Sequence, residues 1–276
     1  MKKTAIGRDG SAAVGGVTLV LTAVVTTFSP MSGQDRLLSI SSVEGHLSRV
    51  VFPTGAAIAH DDAQSIMRML NEERDLPGLP AAASIAGRFI TVSLAPDLPT
   101  GVDGRSLLDQ STIVLPLARW VDWEPARLRR VLRHELTHIA VGRFLGHLEL
   151  PTWFEEGLAE WASGGLTCVG RARLGIETVR RLQTGKDLPS IEDAWDSIPM
   201  RLAYDFFASF FEFLETLHTH ALVGGVLIQR THDLGLETAL QATYGLELQD
   251  LEVGWTRWLR GQHSAGQVLA ECDRER

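Results

Sequence analysis

The chain has 276 residues, of which 45% are hydrophobic, and a formal net charge of -8. A chain of this length and composition can bury a substantial core, in one large domain or two closely packed lobes. Its basic residues form no concentrated stripe, and phosphate binding needs clustered positive charge, which argues against nucleic acid as a partner. Cys168 and Cys272 are the only cysteines, so a multi-cysteine metal site is excluded, while one disulfide or two free thiols both remain open.

The first thirty residues have the pattern of an export signal, with Lys2, Lys3 and Arg8 before an uncharged run at 11–28. The run approaches the length of a membrane span, and no clear A-x-A-like cleavage site follows it. A cleaved signal peptide and a retained membrane anchor therefore both stay open. A buried core helix is a third reading, which the terminal position and the basic flank disfavour. We predict an exported protein, secreted, periplasmic or anchored, whose contact with the membrane is limited to this segment.

Residues 35–118 combine strand patterns with one helical pattern. β-branched, aromatic and other apolar residues predict three strands, at 48–52, 88–95 and 111–117. Segment 60–75 begins with aspartates suited to a helix start and places Ile66, Met67 and Leu70 on one side. Segments rich in Pro and Gly separate these elements and predict loops. This part of the chain is therefore expected to form a strand-containing N-terminal lobe.

From about Trp120 onward, the hydrophobic periodicity becomes helical and strand patterns nearly vanish. Helices are predicted at 124–145, 152–163, 172–183, 201–218 and 247–260. Strands followed by helices are typical of an α+β fold, with room for a cleft between the two parts. We therefore predict a small mixed sheet lobe, followed over residues 119–276 by a mostly helical lobe.

The segment VLRHELTHIAVG, residues 131–142, contains the pattern HExxH. No Pro or Gly falls within Ala126–Val141, so a continuous helix is expected. His134 and His138 lie one turn apart on such a helix, where two imidazoles can bind one metal ion. Glu135 lies next to them, within reach of a water molecule at the metal. The segment therefore predicts the core of a zinc hydrolase site.

A second short helix, beginning after Pro151 in PTWFEEGLAEW, offers further carboxylates. A catalytic zinc ion takes three protein ligands and leaves one position open, so one more ligand is needed. Glu156 and Glu160 are four residues apart and share one helix face, whereas Glu155 points away from it. We predict Glu156 as the third ligand and Glu160 as an acceptor that orients a ligand histidine. Glu155 is then predicted to be a solvated surface carboxylate.

The motif HELTH followed by EEGLAE resembles the gluzincin zinc peptidases, and most closely the peptidase MA-like bacterial proteins. The resemblance is specific over Val131–Trp161 and loose elsewhere. It implies one Zn²⁺ ion with His134, His138 and Glu156 as ligands. It implies Glu135 as the general base. It also implies a zincin-like fold, in which a small mixed sheet lies beside the active-site helix and a helical lobe lies behind.

Related classes of zinc protein fit the sequence less well. The metzincin pattern needs Gly and His where this chain has Val141 and Phe144. An intramembrane protease would place HExxH in an apolar span, but arginines are costly in lipid. This helix carries four of them, Arg127, Arg129, Arg130 and Arg133. The aminopeptidase segment G-x-M-E-N has no counterpart around residues 101–104, so an exopeptidase is not assigned.

Hydrolysis also needs a hydrogen-bond donor to the substrate carbonyl oxygen, which becomes negatively charged during the reaction. The chain has two phenols, Tyr204 and Tyr244. Gluzincin-like enzymes often place a Tyr or His donor downstream of the ligand helix, which points to Tyr204. The competing interpretation is that Tyr204 packs in the core among its neighbours Phe206, Phe207, Phe210 and Phe211.

The leading hypothesis is a zinc-dependent metallopeptidase that hydrolyses peptide bonds of a peptide or protein substrate through a metal-activated water. An alternative is a metallopeptidase-like domain that binds zinc or a protein partner without efficient catalysis. A third is a helical interaction protein in which HExxH occurs by coincidence. Zinc content separates the third hypothesis from the other two, and turnover separates the first from the second.

Overall fold

A computed structural model describes residues 40–262 except 54–55, 57, 59, 77, 97, 100–101, 118–119, 147 and 220–221. The predicted export segment and Cys272 lie outside the described residues. Within the described part of the chain, no helix combines the length and the apolar character needed to cross a membrane.

A five-stranded mixed sheet forms the first part of the fold. Its strands are β1 (Ile40–Glu44), β2 (Ser48–Pro53), β3 (Ile90–Ala95), β4 (Arg105–Leu107) and β5 (Thr112–Pro116). Their order is β1-β2-β3-β5-β4, with β2, β3 and β5 parallel and the two edge strands antiparallel to their neighbours. Val92 of β3 pairs with Val50 on one side and Ile113 on the other. All three are fully buried, so the sheet turns an apolar face toward the helices.

Nine α-helices are present within the described residues. They are α1 (His60–Glu72), α2 (Pro125–Leu145), α3 (Thr152–Ala162), α4 (Cys168–Gln183), α5 (Ala194–Ser197), α6 (Met200–Leu217), α7 (Leu227–Leu234), α8 (Leu236–Tyr244) and α9 (Leu248–Gln262). Helix α1 connects β2 to β3 and packs on the sheet through Ile66 and Leu70. The negative charges of Asp61 and Asp62 stabilise the positive N-terminal end of its dipole. The remaining helices form the body of the protein.

Helix α2 joins the sheet to the helical body. Pro125 occupies its first turn, and it ends before Gly146, whose φ of 65° suits a residue without a side chain. Leu132 and Leu136 pack in the core beneath the sheet, whereas Val141 packs in the core of the helical body. The helix is thus fixed from two sides, which holds the side chains on its remaining face in place.

Helix α3 lies against α6 at close range. A side chain at Gly157 would come within 2.9 Å of the Phe211 ring and 3.0 Å of the backbone oxygen of Phe207. Such contacts are tighter than packing allows, so only glycine permits this approach. Since Gly157 directly follows Glu156, the packing against α6 also fixes the position of the neighbouring carboxylate.

The predicted α+β fold class is confirmed, and the predicted strands and helices correspond to β2, β3, β5, α1, α2, α3, α4, α6 and α9. Helix α4 begins at Cys168, four residues before its predicted start. Strands β1 and β4 and helices α5, α7 and α8 have no counterpart among the predicted elements. The division into lobes at residues 35–118 and 119–276 stays a prediction, because α2 contributes to both cores.

Candidate metal centre

Helices α2 and α3 pack antiparallel, so that two rows of polar side chains face each other. Along α2 the row is Arg130, His134 and His138, and along α3 it is Glu160 and Glu156. Each row has a spacing of four residues, which keeps its members on one helix face. The register brings together the four side chains predicted as ligands or as their support.

Three ligand atoms converge at the centre of these rows. The Nε2 atoms of His134 and His138 are 3.1 Å apart. The Oε2 atom of Glu156 is 3.3 Å from the first and 3.4 Å from the second. Ligands of a tetrahedral zinc ion, bonded at about 2.0–2.2 Å, lie roughly 3.3–3.6 Å apart. The spacing therefore fits one such ion, with its fourth position left open.

A buried polar atom at this site supports the same conclusion. The Oε2 atom of Glu156 is inaccessible to solvent and has no hydrogen-bond partner of acceptable geometry among the described residues, although two imidazole nitrogens lie close by. Leaving a charged acceptor buried without a partner is costly. Coordination of a cation would satisfy it. Within the described residues, His134, His138 and Glu156 form the one group of side chains spaced to hold a metal ion.

The charges of the metal-free site are strongly coupled. Burial alone lowers the pKa of His134, but the adjacent carboxylate of Glu156 and the negative charges of Glu135 and Glu160 outweigh it and raise that pKa to about 9. For Glu156, burial raises the pKa, but the two adjacent imidazoles of His134 and His138 lower it by more and leave it well below its usual range. A proton on the imidazole thus occupies the place that a cation would take.

Glu135 lies beside the ligand triangle, on the side facing the sheet. Its side chain is buried, and burial raises its pKa more than the charges of the two histidines and a hydrogen bond from Ser106 lower it. A carboxylate with a raised pKa can accept and return a proton near neutral pH. Gly104 makes room for it, since a Cβ atom at that position would lie 2.7 Å from Oε1 of Glu135.

These groups lie in a cleft of about 330 Å³ between β4 and the helices. Its lining includes Gly104, Arg105, Ser106 and Leu108 from the β4 region and Thr137, Val141, Gly142 and Leu158 from the helices, together with the polar residues of the metal centre. Tyr204 lines the cleft as well, and its ring centre is 6.2 Å from that of His134. It therefore borders the site instead of packing inward with the neighbouring phenylalanines. Burial, followed by the charges of Glu156 and Glu135, raises the pKa of Tyr204, so its hydroxyl keeps its proton.

Glu155 differs from its prediction in one respect. Its side chain is exposed, as expected, but it lines the cleft instead of pointing to a remote surface. Burial raises its pKa, and the nearby charge of His138 lowers it. The site therefore carries one carboxylate at its rim in addition to those around the metal position.

Strand β4 and Arg130 are parts of the site that sequence reasoning missed. The short segment at 105–107 gave too little pattern for a strand, although a turn at 108–111 and the strand at 112–116 follow it directly. Arg130 was recognised only as one of several arginines. Its position four residues before His134 was a usable signal, because it places both side chains on the same helix face.

Comparisons with known proteins found similarity to solved structures at low sequence identity. No family model matches the chain, and no curated protein matches it. Solved structures similar to it are the M1 zinc metallopeptidase from Deinococcus radiodurans, at 15% identity, and a point mutant of that enzyme, at 14%. Each has a TM-score of 0.38, and the similarity covers 79% of this chain and 52% of the other. The chain thus spans about half the length of these structures.

We expect the zinc affinity of this site to decrease as the pH is lowered below about 9. Zinc and a proton compete for the same imidazole of His134, whose pKa is raised to about 9, so the proton has to leave before the metal binds. Affinity should weaken by up to about tenfold for each pH unit between 9 and 6. Chelator-competition titrations at four pH values measure it. An affinity that is constant between pH 6 and 8 would contradict the coupled site.

Proposed function

We propose that this protein is a zinc-dependent metallopeptidase that hydrolyses peptide bonds by adding water to the carbonyl carbon. The observation that carries the proposal is the buried Oε2 of Glu156, which has no hydrogen-bond partner among the described residues and lies 3.3 and 3.4 Å from two imidazole nitrogens. This donor set stands in a cleft beside a buried carboxylate, Glu135, which a purely structural metal site would not need.

The donor set favours zinc over other divalent ions. Two imidazole nitrogens and one carboxylate oxygen, with a fourth position left open, are typical of catalytic zinc sites, whereas magnesium and calcium prefer shells made of oxygen. His134, His138 and Glu156 would hold the ion. When bound, zinc lowers the pKa of water toward about 7 and polarises a carbonyl group.

Glu135 is proposed to move the proton of the reaction. It accepts a proton from the attacking water as the new carbon–oxygen bond forms. It then gives that proton to the amine nitrogen as the carbon–nitrogen bond breaks, so that atoms and charge balance. Its raised pKa and its burial beside the two histidines suit both steps. Gly104 and Ser106 keep the carboxylate in position from the side of β4.

Tyr204 is proposed to stabilise the carbonyl oxygen as negative charge develops on it. The hydroxyl stays protonated because burial and the neighbouring carboxylates raise its pKa, and it can therefore donate a hydrogen bond. Its ring is held by Trp195, whose centre is 5.7 Å away in an edge-to-face arrangement. A fixed donor needs little reorganisation during the reaction.

We propose an extended peptide as the substrate, bound along the cleft. Strand β4 is an edge strand of the sheet and pairs with β5 alone among the described strands. It contributes Arg105 and Ser106 to the cleft wall. An unpaired strand edge can bind a peptide backbone as an added strand. Such pairing would hold the substrate carbonyl above the ligand triangle, with side chains alternating toward and away from the cleft. We also propose that the protein is exported and that nucleic acid is not among its partners.

Replacing Glu135 by Gln tests the proposed function directly. The variant should keep its zinc, because this side chain is not a ligand, but lose about 10²- to 10⁴-fold in kcat, because no base of suitable pKa remains. Zinc content and hydrolysis of a mixed peptide library, measured on the purified full chain, give both readouts. Glu237→Gln is the matched control, since that glutamate is exposed on α8.

The outcomes of that experiment separate the hypotheses. Zinc in both proteins, with turnover only in the parent, supports the metallopeptidase. Zinc in both proteins and turnover in neither favours a zinc-binding domain without catalysis. A parent that binds no zinc contradicts both.

Replacing Tyr204 by Phe tests the proposed donor. We expect kcat to fall by about 10²- to 10³-fold with little change in KM or zinc affinity, because the hydroxyl acts on charge that develops only during the reaction. Steady-state kinetics on the best library peptide measure the split. Tyr244→Phe is the control, because its buried hydroxyl has no hydrogen-bond partner among the described residues and its ring packs on His218, away from the cleft. An unchanged kcat in the Tyr204 variant would remove this residue from the mechanism.

A further inference from the structure

Arg130 lies on α2 one turn before His134 and makes two short hydrogen bonds. Its Nη2 donates to Oε2 of Glu160 and to the backbone oxygen of Gly165, each at 2.6 Å. The Arg130 side chain is 27% exposed and that of Glu160 is 18% exposed, so the pair is shielded from solvent over most of its surface. Charge-assisted bonds of this kind are stronger than those between neutral groups.

The two oxygens of Glu160 face different partners. Oε2 accepts the hydrogen bond from Arg130, and Oε1 lies 3.7 Å from Nδ1 of His134. That distance is longer than a hydrogen bond but is within reach after a small shift of either side chain. The bond to Arg130 therefore selects the rotation of the carboxylate that turns its free oxygen toward the imidazole.

The second contact of Arg130 ties it to the turn that ends α3. Gly165 donates its backbone N–H to the carbonyl oxygen of Glu160 at 3.0 Å, and its φ of 66° favours glycine. Arg130 thus bonds to both ends of one closed turn, the side chain of Glu160 and the carbonyl of Gly165. The turn and the arginine together leave the Glu160 side chain little freedom to rotate.

Neighbouring arginines of α2 have a different role. Arg129 and Arg133 both bond to Glu73, which follows α1, and so connect α2 to the sheet side of the fold. Arg130 points to the opposite partner, α3. Arg129 and Arg133 therefore hold α2 against the sheet side of the fold, whereas Arg130 contacts Glu160, the carboxylate next to the ligand His134.

We propose that Arg130 is a positioning residue for the metal centre. It holds Glu160 so that this carboxylate accepts the Nδ1–H of His134 and leaves Nε2 free to bind the ion. A fixed carboxylate behind a ligand histidine sets the tautomer and the orientation of the ring, and its loss weakens metal affinity. The inference rests on the proposed zinc site but not on peptidase turnover.

A double-mutant cycle on the full chain tests this inference, with the zinc dissociation constant as its readout. Arg130→Gln and Glu160→Gln should each weaken zinc binding by about 10- to 100-fold. Because the arginine acts through the glutamate, the double variant should bind zinc no more weakly than Glu160→Gln alone. Arg143→Gln is the matched control, since this exposed arginine of α2 bonds only to the Ser111 hydroxyl in the described contacts.

Two results would overturn the inference. In the first, the losses of the two single variants multiply in the double variant, which means that Arg130 acts independently of Glu160. In the second, Arg130→Gln lowers the melting temperature of the metal-free protein but leaves zinc affinity unchanged, which means that its role is structural only. A parent that binds no zinc overturns the proposed function instead, so the two failures are distinguishable.

A milder variant keeps the test valid if Arg130→Gln fails to fold. Lysine retains the charge but is shorter and lacks the planar guanidinium, so Arg130→Lys should lose part of the contact to Glu160. Zinc binding should weaken by about three- to tenfold in the parent background and not at all in the Glu160→Gln background. Weakening in both backgrounds, or in neither, would overturn the inference.

Discussion

Two carboxylates of α3, Glu156 and Glu160, are partly buried against α2, and their charges have to be balanced there. An uncompensated charge in such a place would cost several kcal/mol. The protein balances one carboxylate, that of Glu160, with the guanidinium group of Arg130. The other faces two imidazoles, whose charge depends on protonation or on a bound cation. This difference divides one helix–helix contact into a fixed ion pair and a site that can exchange a proton for a metal.

The rest of the fold keeps these two helices at the required distance. Helix α2 is anchored in both hydrophobic cores, and α3 approaches α6 closely at Gly157, where any side chain would collide with Phe211. Interiors packed at this density resist small displacements. The ligand triangle, with sides of 3.1–3.4 Å, is therefore set by packing on the far faces of the helices as much as by the ligands themselves.

The sequence predicted those parts of the site that depend on local geometry. Positions four residues apart share a helix face whatever the fold, which is why His134 and His138, and likewise Glu156 and Glu160, could be paired. The α+β class followed from the change of periodicity near Trp120. The antiparallel register of α2 and α3 depends on packing between distant segments, so the sequence does not predict it. The ion pair between Arg130 and Glu160 depends on that register and is therefore not predicted either.

Strand β4 was missed for a different reason. A strand of three residues has too little alternation to be recognised, and it exists because β5 offers it a partner. The strand affects the proposed catalytic site, because Gly104, just before it, leaves the space that the Glu135 side chain occupies. Helices α5, α7 and α8 also lacked a clear signal. No residue of α7 or α8 lines the cleft, whereas Trp195 of α5 packs against Tyr204.

The proposals above depend on His134, His138 and Glu156 holding one zinc ion in a shell that is open to solvent. X-ray absorption at the zinc edge, combined with metal analysis of the purified full chain, tests it most directly. We expect one zinc ion per chain, with scattering from two imidazoles and oxygen or nitrogen ligands at about 2.0–2.2 Å. A protein that retains no zinc after gel filtration, or a zinc shell without imidazole scattering, would contradict it.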